Sequence, residues 1–128
     1  GLREPARAAL EQVGLGGRAH VLAANLAHGE QRQLEIAMAL ATRPRLLLLD
    51  EPVAGMSLDE SQRMIRFLGT LKGRHTIVLV EHDMDAVFTL ADRISVMVYG
   101  RIIATGVPEE VRAHAEVRQA YLGEDESL

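Results

Sequence analysis

The sequence predicts an α/β fold in which a mainly parallel sheet is flanked by helices. Short apolar runs at 45–50, 76–81 and 94–99 have the length and composition of buried strands. The segments between them repeat their apolar residues at helical spacing. Strands that alternate with helices are typical of α/β domains, and such a sheet keeps its ligand site at the carboxyl ends of its strands.

The first 43 residues are expected to contain two helices. One helix is expected over 4–13, ended by the glycine-rich segment 14–17, with a loop or weak short helix over 18–28. A second helix is expected from Glu30 to about Thr42. The faces predicted to be buried contain Ala6, Ala9, Leu10 and Val13 in the first helix and Leu34, Ile36, Ala37, Met38, Leu40 and Ala41 in the second.

Capping signals predict where the later helices start. Ser57 followed by Glu60 is a capping-box pattern. Asp83 is a suitable N-cap, and Pro108 suits the first position of a helix. These signals predict helices over 57–71, 84–90, 108–115 and 116–122, and a fourth strand over 102–106 follows a turn at Gly100-Arg101.

Composition excludes several classes of protein. The formal net charge of −4 argues against a protein whose main task is to bind nucleic-acid phosphates. The absence of cysteine excludes disulfides and thiolate metal sites. No apolar run approaches the roughly 20 residues that span a bilayer. An apolar content of 48% with 25% charged residues is instead typical of a globular domain.

Two carboxylates follow the first apolar run directly, in LLLLDEP at 46–52. Asp50 and Glu51 are expected at the carboxyl edge of the sheet, as are Glu81 and His82 after the next strand. One carboxylate suits Mg²⁺, which prefers oxygen ligands, and the second suits the activation of an attacking water. His82 could donate to a phosphoryl oxygen. Taken alone, the pair of acids also fits a turn followed by a helix cap.

Four segments in this order resemble the motifs of the ATP-binding cassette family of transporter ATPases. LAHGEQRQLEIAMALA at 26–41 resembles the signature motif and its helix. LLLLDEP at 46–52 resembles the Walker B strand, VAGMS at 53–57 the D-loop, and LVEHDM at 79–84 the histidine switch. The resemblance extends to about Gly123 and is strongest to subunits for branched-chain amino acid uptake, with urea-type subunits next. It implies part of a P-loop NTPase (RecA-like) cassette.

The resemblance implies ATP and Mg²⁺ as cofactors and a role for each motif residue. Asp50 would hold Mg²⁺ through water, Glu51 would be the general base, and His82 would contact the γ-phosphate. The signature residues Ala27, His28, Gly29 and Glu30 would present a helix N-terminus to ATP on a partner subunit, beside the D-loop residues Gly55, Met56 and Ser57.

The signature and the D-loop depart from the family pattern. Ala27, His28 and Glu30 stand where Ser, Gly and Gln are usual. Ala27 has no hydroxyl for the γ-phosphate, and Glu30 adds negative charge near an anion. The site is therefore expected to be weakened but not abolished. Ser57 replaces an Asp that is often present, and its capping-box role explains it without catalysis.

No segment matches the phosphate-cradling Walker A loop, G-x-x-x-x-G-K-[ST]. We therefore expect the C-terminal half of a cassette. Residues 1–43 would end the helical subdomain, 44–123 would belong to the ATPase core, and 124–128 would be a flexible tail. Without the loop's strand, strand 76–81 would keep an unpaired inner edge, which predicts self-association. Mg-ATP binding by the chain alone is expected to be weak or absent.

The function implied is that of an ATP-hydrolysing subunit of an importer, for branched-chain amino acids or a similar solute. Its partners would be a second ATP-binding subunit and transmembrane permease subunits, with no nucleic acid. It would lie in the cytoplasm, peripheral to the inner face of the membrane. The alternative is a non-catalytic, incomplete cassette that acts as an oligomerisation or interaction module. A cassette of DNA repair or translation is less favoured, since no coiled-coil insertion or second cassette is present.

Overall fold

The structure is a computed structural model that describes residues 1–123; the predicted tail at 124–128 lies outside the described residues. Helices and strands alternate as predicted. The chain divides into two compact units, Gly1–Glu81 and a second that begins at His82. This boundary after Glu81 differs from the domain boundary predicted at residue 43. The predicted boundary separates segments by the functions of their motifs, and it stays a prediction. In the described part, no helix combines the length and the hydropathy needed to cross a membrane.

The first unit contains three helices and two strands. Short 3-10 turns lie at Gly16–Arg18 and Ala23–Asn25, in the segment predicted to be a loop or a weak helix. In chain order the elements are α1 (Arg3–Gln12), α2 (His28–Leu40), β1 (Leu46–Asp50), α3 (Leu58–Leu71) and β2 (Thr76–Val80).

Helix α1 ends in a Schellman motif. Gly14 adopts a φ of +81°, which favours glycine. The Leu15 N–H donates to the Leu10 carbonyl (2.8 Å), and the Gly14 N–H donates to the Glu11 carbonyl (3.0 Å). Leu15 is only 2% exposed. The buried leucine fixes the direction in which the chain leaves α1.

The buried faces of α1 and α2 differ from the predicted ones. No residue of α1 is fully buried, although Val13 just beyond its end is. Helix α2 begins at His28, two residues earlier than predicted, and Met38 is 65% exposed. The buried residues of α2 are instead Gly29, Ile36, Ala37 and Leu40.

Strands β1 and β2 form a parallel pair, with Leu47 opposite Ile77 and Asp50 opposite Val80. The prediction that both strands are buried on both faces is wrong. Leu47 is 3% exposed, whereas Leu48 is 72% exposed. Successive side chains of a strand point to opposite faces, and on one of these faces the apolar side chains are 49–72% exposed. We call this the open face; its apolar members are Leu46, Leu48, Val78 and Val80.

Helix α3 is capped and amphipathic as predicted. The Glu60 N–H donates to Ser57 Oγ (3.3 Å), and the Ser57 N–H donates to Glu60 Oε2 (3.0 Å). This reciprocal pair is a capping box. The buried face of α3 consists of Ser61, Met64, Ile65, Leu68 and Leu71.

The second unit is built around an antiparallel hairpin. Its turn is Tyr99-Gly100, with φ of +48° and +76°, and not Gly100-Arg101 as predicted. Positive φ at both central residues is the geometry of a two-residue hairpin turn. The elements are α4 (Met84–Leu90), β3 (Ile94–Val98), β4 (Arg101–Gly106), α5 (Pro108–Ala113) and α6 (Ala115–Val117), and the π-helical turn Arg118–Leu122 continues α6.

The predicted capping residues of the second unit occupy their expected places. Asp83 Oδ1 accepts the Ala86 N–H (3.0 Å) at the start of α4, and Pro108 begins α5. The core of this unit is made of Ile94, Val111 and Val117. Half-buried aliphatic side chains and Phe88 pack against it, which suits a chain with only 3% aromatic residues.

The open face and the free edge of β2 lead to a test of self-association. Among residues 1–123, β2 is paired on one side only. We expect the chain to self-associate, and Val78→Lys to shift it toward monomer because a lysine on an edge strand opposes further pairing. Sedimentation velocity measures the mass distribution. Gln62→Lys is the matched control, since it adds the same charge at an exposed position on α3. A monomeric unmodified chain would contradict the prediction.

Candidate nucleotide site

The end of β1 positions the two predicted carboxylates. Asp50 is the last residue of β1 and is exposed. The Glu51 N–H donates to the Val80 carbonyl at 2.7 Å, one hydrogen bond beyond the strand pair. Glu51 is half-buried and has a φ of +48°. A left-handed backbone costs a non-glycine residue roughly 1–2 kcal/mol, so the sheet holds Glu51 in a conformation that a turn alone would not favour.

Glu81 supports the turn that follows the carboxylates. The Val53 N–H donates to Glu81 Oε2 at 3.4 Å, and the Val53 side chain is 5% exposed. Glu81 was predicted only as a polar residue at a strand end. Its contact with Val53 ties the end of β2 to the segment after Asp50-Glu51.

The signature residues lie at the N-terminus of α2, as predicted. Ala27 is the N-cap residue, with extended backbone angles and no side-chain oxygen to accept a hydrogen bond. The Ala27 N–H donates to Glu30 Oε1 (3.1 Å), which is half of a capping box. Gly29 is buried, and a Cβ placed there would lie 3.4 Å from Glu60 Oε1. Gly29 therefore packs against the side chain of Glu60.

Glu30 also has an ionic partner that the sequence did not reveal. Arg18 Nε lies 3.0 Å from Glu30 Oε2, and Arg18 Nη2 donates to Glu30 Oε1 at 3.4 Å. The expected excess of negative charge at the signature is therefore offset by a guanidinium. Arg18 and Glu30 are 12 positions apart and share no helical or strand periodicity, so the sequence did not predict this ion pair.

His28 joins the signature to the D-loop. Its Nε2 lies 3.1 Å from the Ala54 carbonyl oxygen, within hydrogen-bond distance. Gly55 has a φ of +74°, and a Cβ placed there would lie only 3.0 Å from His28 Nε2. Two motifs separated by 26 residues therefore meet within the first unit, at His28.

The other D-loop residues have structural contacts. The Met56 N–H donates to the Val53 carbonyl (3.2 Å), which closes the turn. Ser57 caps α3, as described above. Its capping role accounts for its presence, and no contact assigns it to catalysis.

A groove runs beside Asp50 in the first unit. Its volume is about 210 Å³, and α2 and β1 provide its walls. Arg32 and Glu35, which lie 3.6 Å apart, contribute the charged rim. The lining residues are Arg32, Glu35, Ile36, Ala39, Leu48, Leu49, Asp50 and Pro52.

His82 opens the second unit. It lies directly before the Asp83 cap of α4 and is exposed. The structure thus brings Asp50 next to Glu51 and the signature next to the D-loop within the first unit, and it assigns His82 to the second.

Comparisons with known proteins agree with the predicted resemblance. The family model for the ABC transporter matches residues 2–54, and the model for the branched-chain amino acid ATP-binding cassette transporter matches residues 101–127. LivG of Salmonella typhimurium, a high-affinity branched-chain amino acid transport ATP-binding protein, is 45% identical over 117 residues. The chain belongs to the ATP-binding cassette transporter family. BraF of Pseudomonas aeruginosa, which has the same description, is a further member at 44% identity over 117 residues.

Solved ATP-binding cassettes have the same fold. One cassette of an ABC transporter in its ADP conformation superposes with a TM-score of 0.83 at 31% identity, covering 94% of this chain and 50% of that one. The predicted fold class is confirmed. The LivG match covers 90% of this chain and 46% of LivG, so the chain spans about half the length of the curated relatives it matches.

The conformation of Glu51 leads to a stability test. Glu51→Gly is expected to be more stable than Glu51→Ala by about 1 kcal/mol, because both variants lose the same carboxylate and glycine adopts positive φ without strain. Glu35→Gly and Glu35→Ala are the matched control pair. They remove the same side chain from an exposed helical position, where glycine is expected to be less stable than alanine by about 1 kcal/mol. Urea denaturation of the four variants measures both differences; a lower stability of glycine at both positions would contradict the strain.

The contact of His28 with the D-loop can be tested in the same way. His28→Ala is expected to lower the free energy of unfolding by about 0.5–1 kcal/mol and to speed exchange of the Met56 amide, which is bonded to the Val53 carbonyl. His28→Gln should retain most of both properties, because its amide nitrogen can occupy the place of Nε2. His20→Ala, at another exposed histidine, is the control. Equal exchange at Met56 in all variants would contradict the link.

Proposed function

We propose that the whole protein is an ATP-hydrolysing subunit of an importer for branched-chain amino acids. The observation that carries the proposal is the 44–45% identity to LivG and BraF over 117 residues, a span that includes the Walker B, signature and D-loop segments. The geometry of Asp50, Glu51 and the α2 N-terminus supports it. The activity, cargo and partners of the whole protein are all part of the proposal.

Asp50 suits a magnesium ion that phosphate oxygens share. In the described residues, no cluster of three or more His, Asp or Glu side chains could hold a metal alone. Mg²⁺ in nucleotide sites needs only one or two carboxylates, with water and phosphate oxygens completing its shell. The exposed carboxylate of Asp50 fits that limited role. When bound, Mg-ATP would supply the phosphoryl group and a cation that offsets its charge.

Glu51 is the general base in this proposal. Its N–H bond to Val80 fixes its backbone at the carboxyl edge of the sheet, and the residue is half-buried there. A base acts efficiently when it is held within hydrogen-bond reach of the water that it activates. His82 would contact the γ-phosphate, as its place in the histidine-switch segment implies.

The N-terminus of α2 would bind the ATP of a second subunit. Because Ala27 has no side-chain oxygen, it leaves the first-turn amides of α2 without the usual N-cap acceptor. Such amides, together with the helix dipole, favour an anion. The contact of His28 with Ala54 would keep the D-loop in register with the signature at the same interface.

The remaining partners follow from the names of the relatives. LivG and BraF are transport ATP-binding proteins. A transporter of this kind needs permease subunits in the membrane, which would hold this subunit at the cytoplasmic face. The cargo is inferred from the relatives and from the branched-chain amino acid family model that matches residues 101–127.

A second candidate is a non-catalytic interaction module. The observation in its favour is the open face of β1 and β2, where Leu48 is 72% and Val80 58% exposed. An apolar face of this kind suits association with another polypeptide. The two proposals differ in whether the chain contributes to ATP turnover.

Calorimetry with Mg-ATP separates the two proposals. The chain alone is expected to bind weakly or not at all, because it contains no phosphate-cradling loop. The full-length protein that carries it is expected to bind in the range of roughly 1 μM to 1 mM that is typical of enzyme substrates. Tight binding by the chain alone would reveal a phosphate site outside the motifs at 26–41, 46–57 and 79–84. No binding by the full-length protein would favour the interaction module.

Glu51→Gln then tests the general base in the full-length protein. The variant is expected to lose about 100-fold or more in kcat while it still binds Mg-ATP, since the amide keeps the shape but cannot accept the proton. Glu35→Gln is the control, because it makes the same change on the rim of the groove. Unchanged turnover in Glu51→Gln would exclude Glu51 as the base.

A further inference from the structure

We propose that Arg18 is a positioning residue for the signature. In this view Arg18 holds and neutralises the Glu30 carboxylate, so that the N-terminus of α2 keeps its affinity for a phosphate although an acid lies within its first turn. The inference rests on the proposed function, because it assigns a role at the site where the signature would meet ATP.

The contact has the geometry of a two-point ion pair. Arg18 uses Nε at 3.0 Å from Glu30 Oε2 and Nη2 at 3.4 Å from Glu30 Oε1. The same Oε1 accepts the Ala27 N–H at 3.1 Å. One carboxylate therefore links the guanidinium to the N-cap residue, and its orientation is set from both sides.

The segment that carries Arg18 is fastened to α2 at two further points. Gln33 Nε2 donates to the Val13 carbonyl (3.2 Å), and Gln31 Nε2 donates to the Ala23 carbonyl (3.3 Å). Since these bonds hold residues on both sides of Arg18, the backbone that carries its side chain is already restricted when it pairs with Glu30. The ion pair therefore joins two anchored segments.

The pair matters for an anion because the Glu30 carboxylate and a phosphate carry charge of the same sign. A carboxylate in the first turn stabilises a helix, but it repels a phosphate that approaches the same amides. A guanidinium within hydrogen-bond distance cancels most of that repulsion. The side chains of Arg18 and Glu30 are 47% and 27% exposed, so solvent screens the pair and the effect is modest.

A double-mutant cycle in the full-length protein that carries this chain tests the inference. Arg18→Ala is expected to lower kcat/KM for ATP by about three- to fivefold, the range of a partly exposed ion pair. In the Glu30→Gln background, the same substitution should change kcat/KM by less than about twofold, because no charge remains to neutralise. Arg18→Lys should recover part of the loss. Arg7→Ala, at an exposed arginine of α1, is the control.

Suppression by Glu30→Gln shows that Arg18 acts through the Glu30 carboxylate, and an unchanged free energy of unfolding in Arg18→Ala separates this role from a merely structural one. If Arg18 acted independently of Glu30, its loss would be equally damaging with Gln at position 30. Equal loss in both backgrounds, or no loss in either, would overturn the inference. If the unmodified protein does not hydrolyse ATP, the proposed function has failed, and kinetics no longer decide the role of Arg18.

Amide exchange at Ala27 in the same protein, measured without nucleotide, then decides the role of Arg18. Arg18→Ala is expected to speed that exchange about two- to threefold, because the carboxylate that accepts the Ala27 N–H is no longer held. Arg7→Ala should leave it unchanged. An exchange rate that is unchanged in Arg18→Ala would overturn the positioning role whether or not the protein hydrolyses ATP.

Discussion

The register of β1 against β2 is the constraint on which the rest of the candidate site depends. Leu47 lies opposite Ile77 and turns inward, which leaves Asp50 opposite Val80 at the carboxyl edge. One further bond, from the Glu51 N–H to the Val80 carbonyl, fixes the second acid. A slip by one residue would exchange the two faces, so the buried side chains and the positions of both acids would change together. The packing of leucines thus determines where the chemistry lies.

The start of helix α2 at the signature also depends on contacts with other residues. Its N-cap residue, Ala27, has no side-chain oxygen and so cannot accept a hydrogen bond from the first turn. Glu30 and His28 supply other fixed points: the carboxylate binds the Ala27 N–H, and the imidazole reaches the Ala54 carbonyl. The first-turn amides are thereby oriented without being used by an N-cap side chain. This arrangement suits an anion that arrives from outside the chain.

The sequence predicted those features that local physical chemistry determines. The Ser57 capping box, the Asp83 cap and the strand cores follow from residues within a few positions of one another, and the structure agrees. The exposure of one face of β1 could not be predicted, because an apolar run indicates which residues tend to avoid water but not which neighbouring elements cover them. The Arg18–Glu30 and His28–Ala54 contacts join residues 12 and 26 positions apart. Such contacts depend on tertiary packing, which no periodicity records.

Backbone strain bears on whether Asp50-Glu51 is a site or only a turn. In residues 1–123, positive φ at a non-glycine residue occurs at Arg43, Glu51 and Tyr99. Arg43 lies where the chain leaves α2, and Tyr99 lies in a hairpin turn. A turn with no other task would be served better by glycine at all three positions. At Glu51 the strained residue also carries a half-buried carboxylate at the carboxyl edge of the sheet. Strain kept together with a reactive group is typical of functional sites, which favours the catalytic interpretation of this pair over the turn and cap.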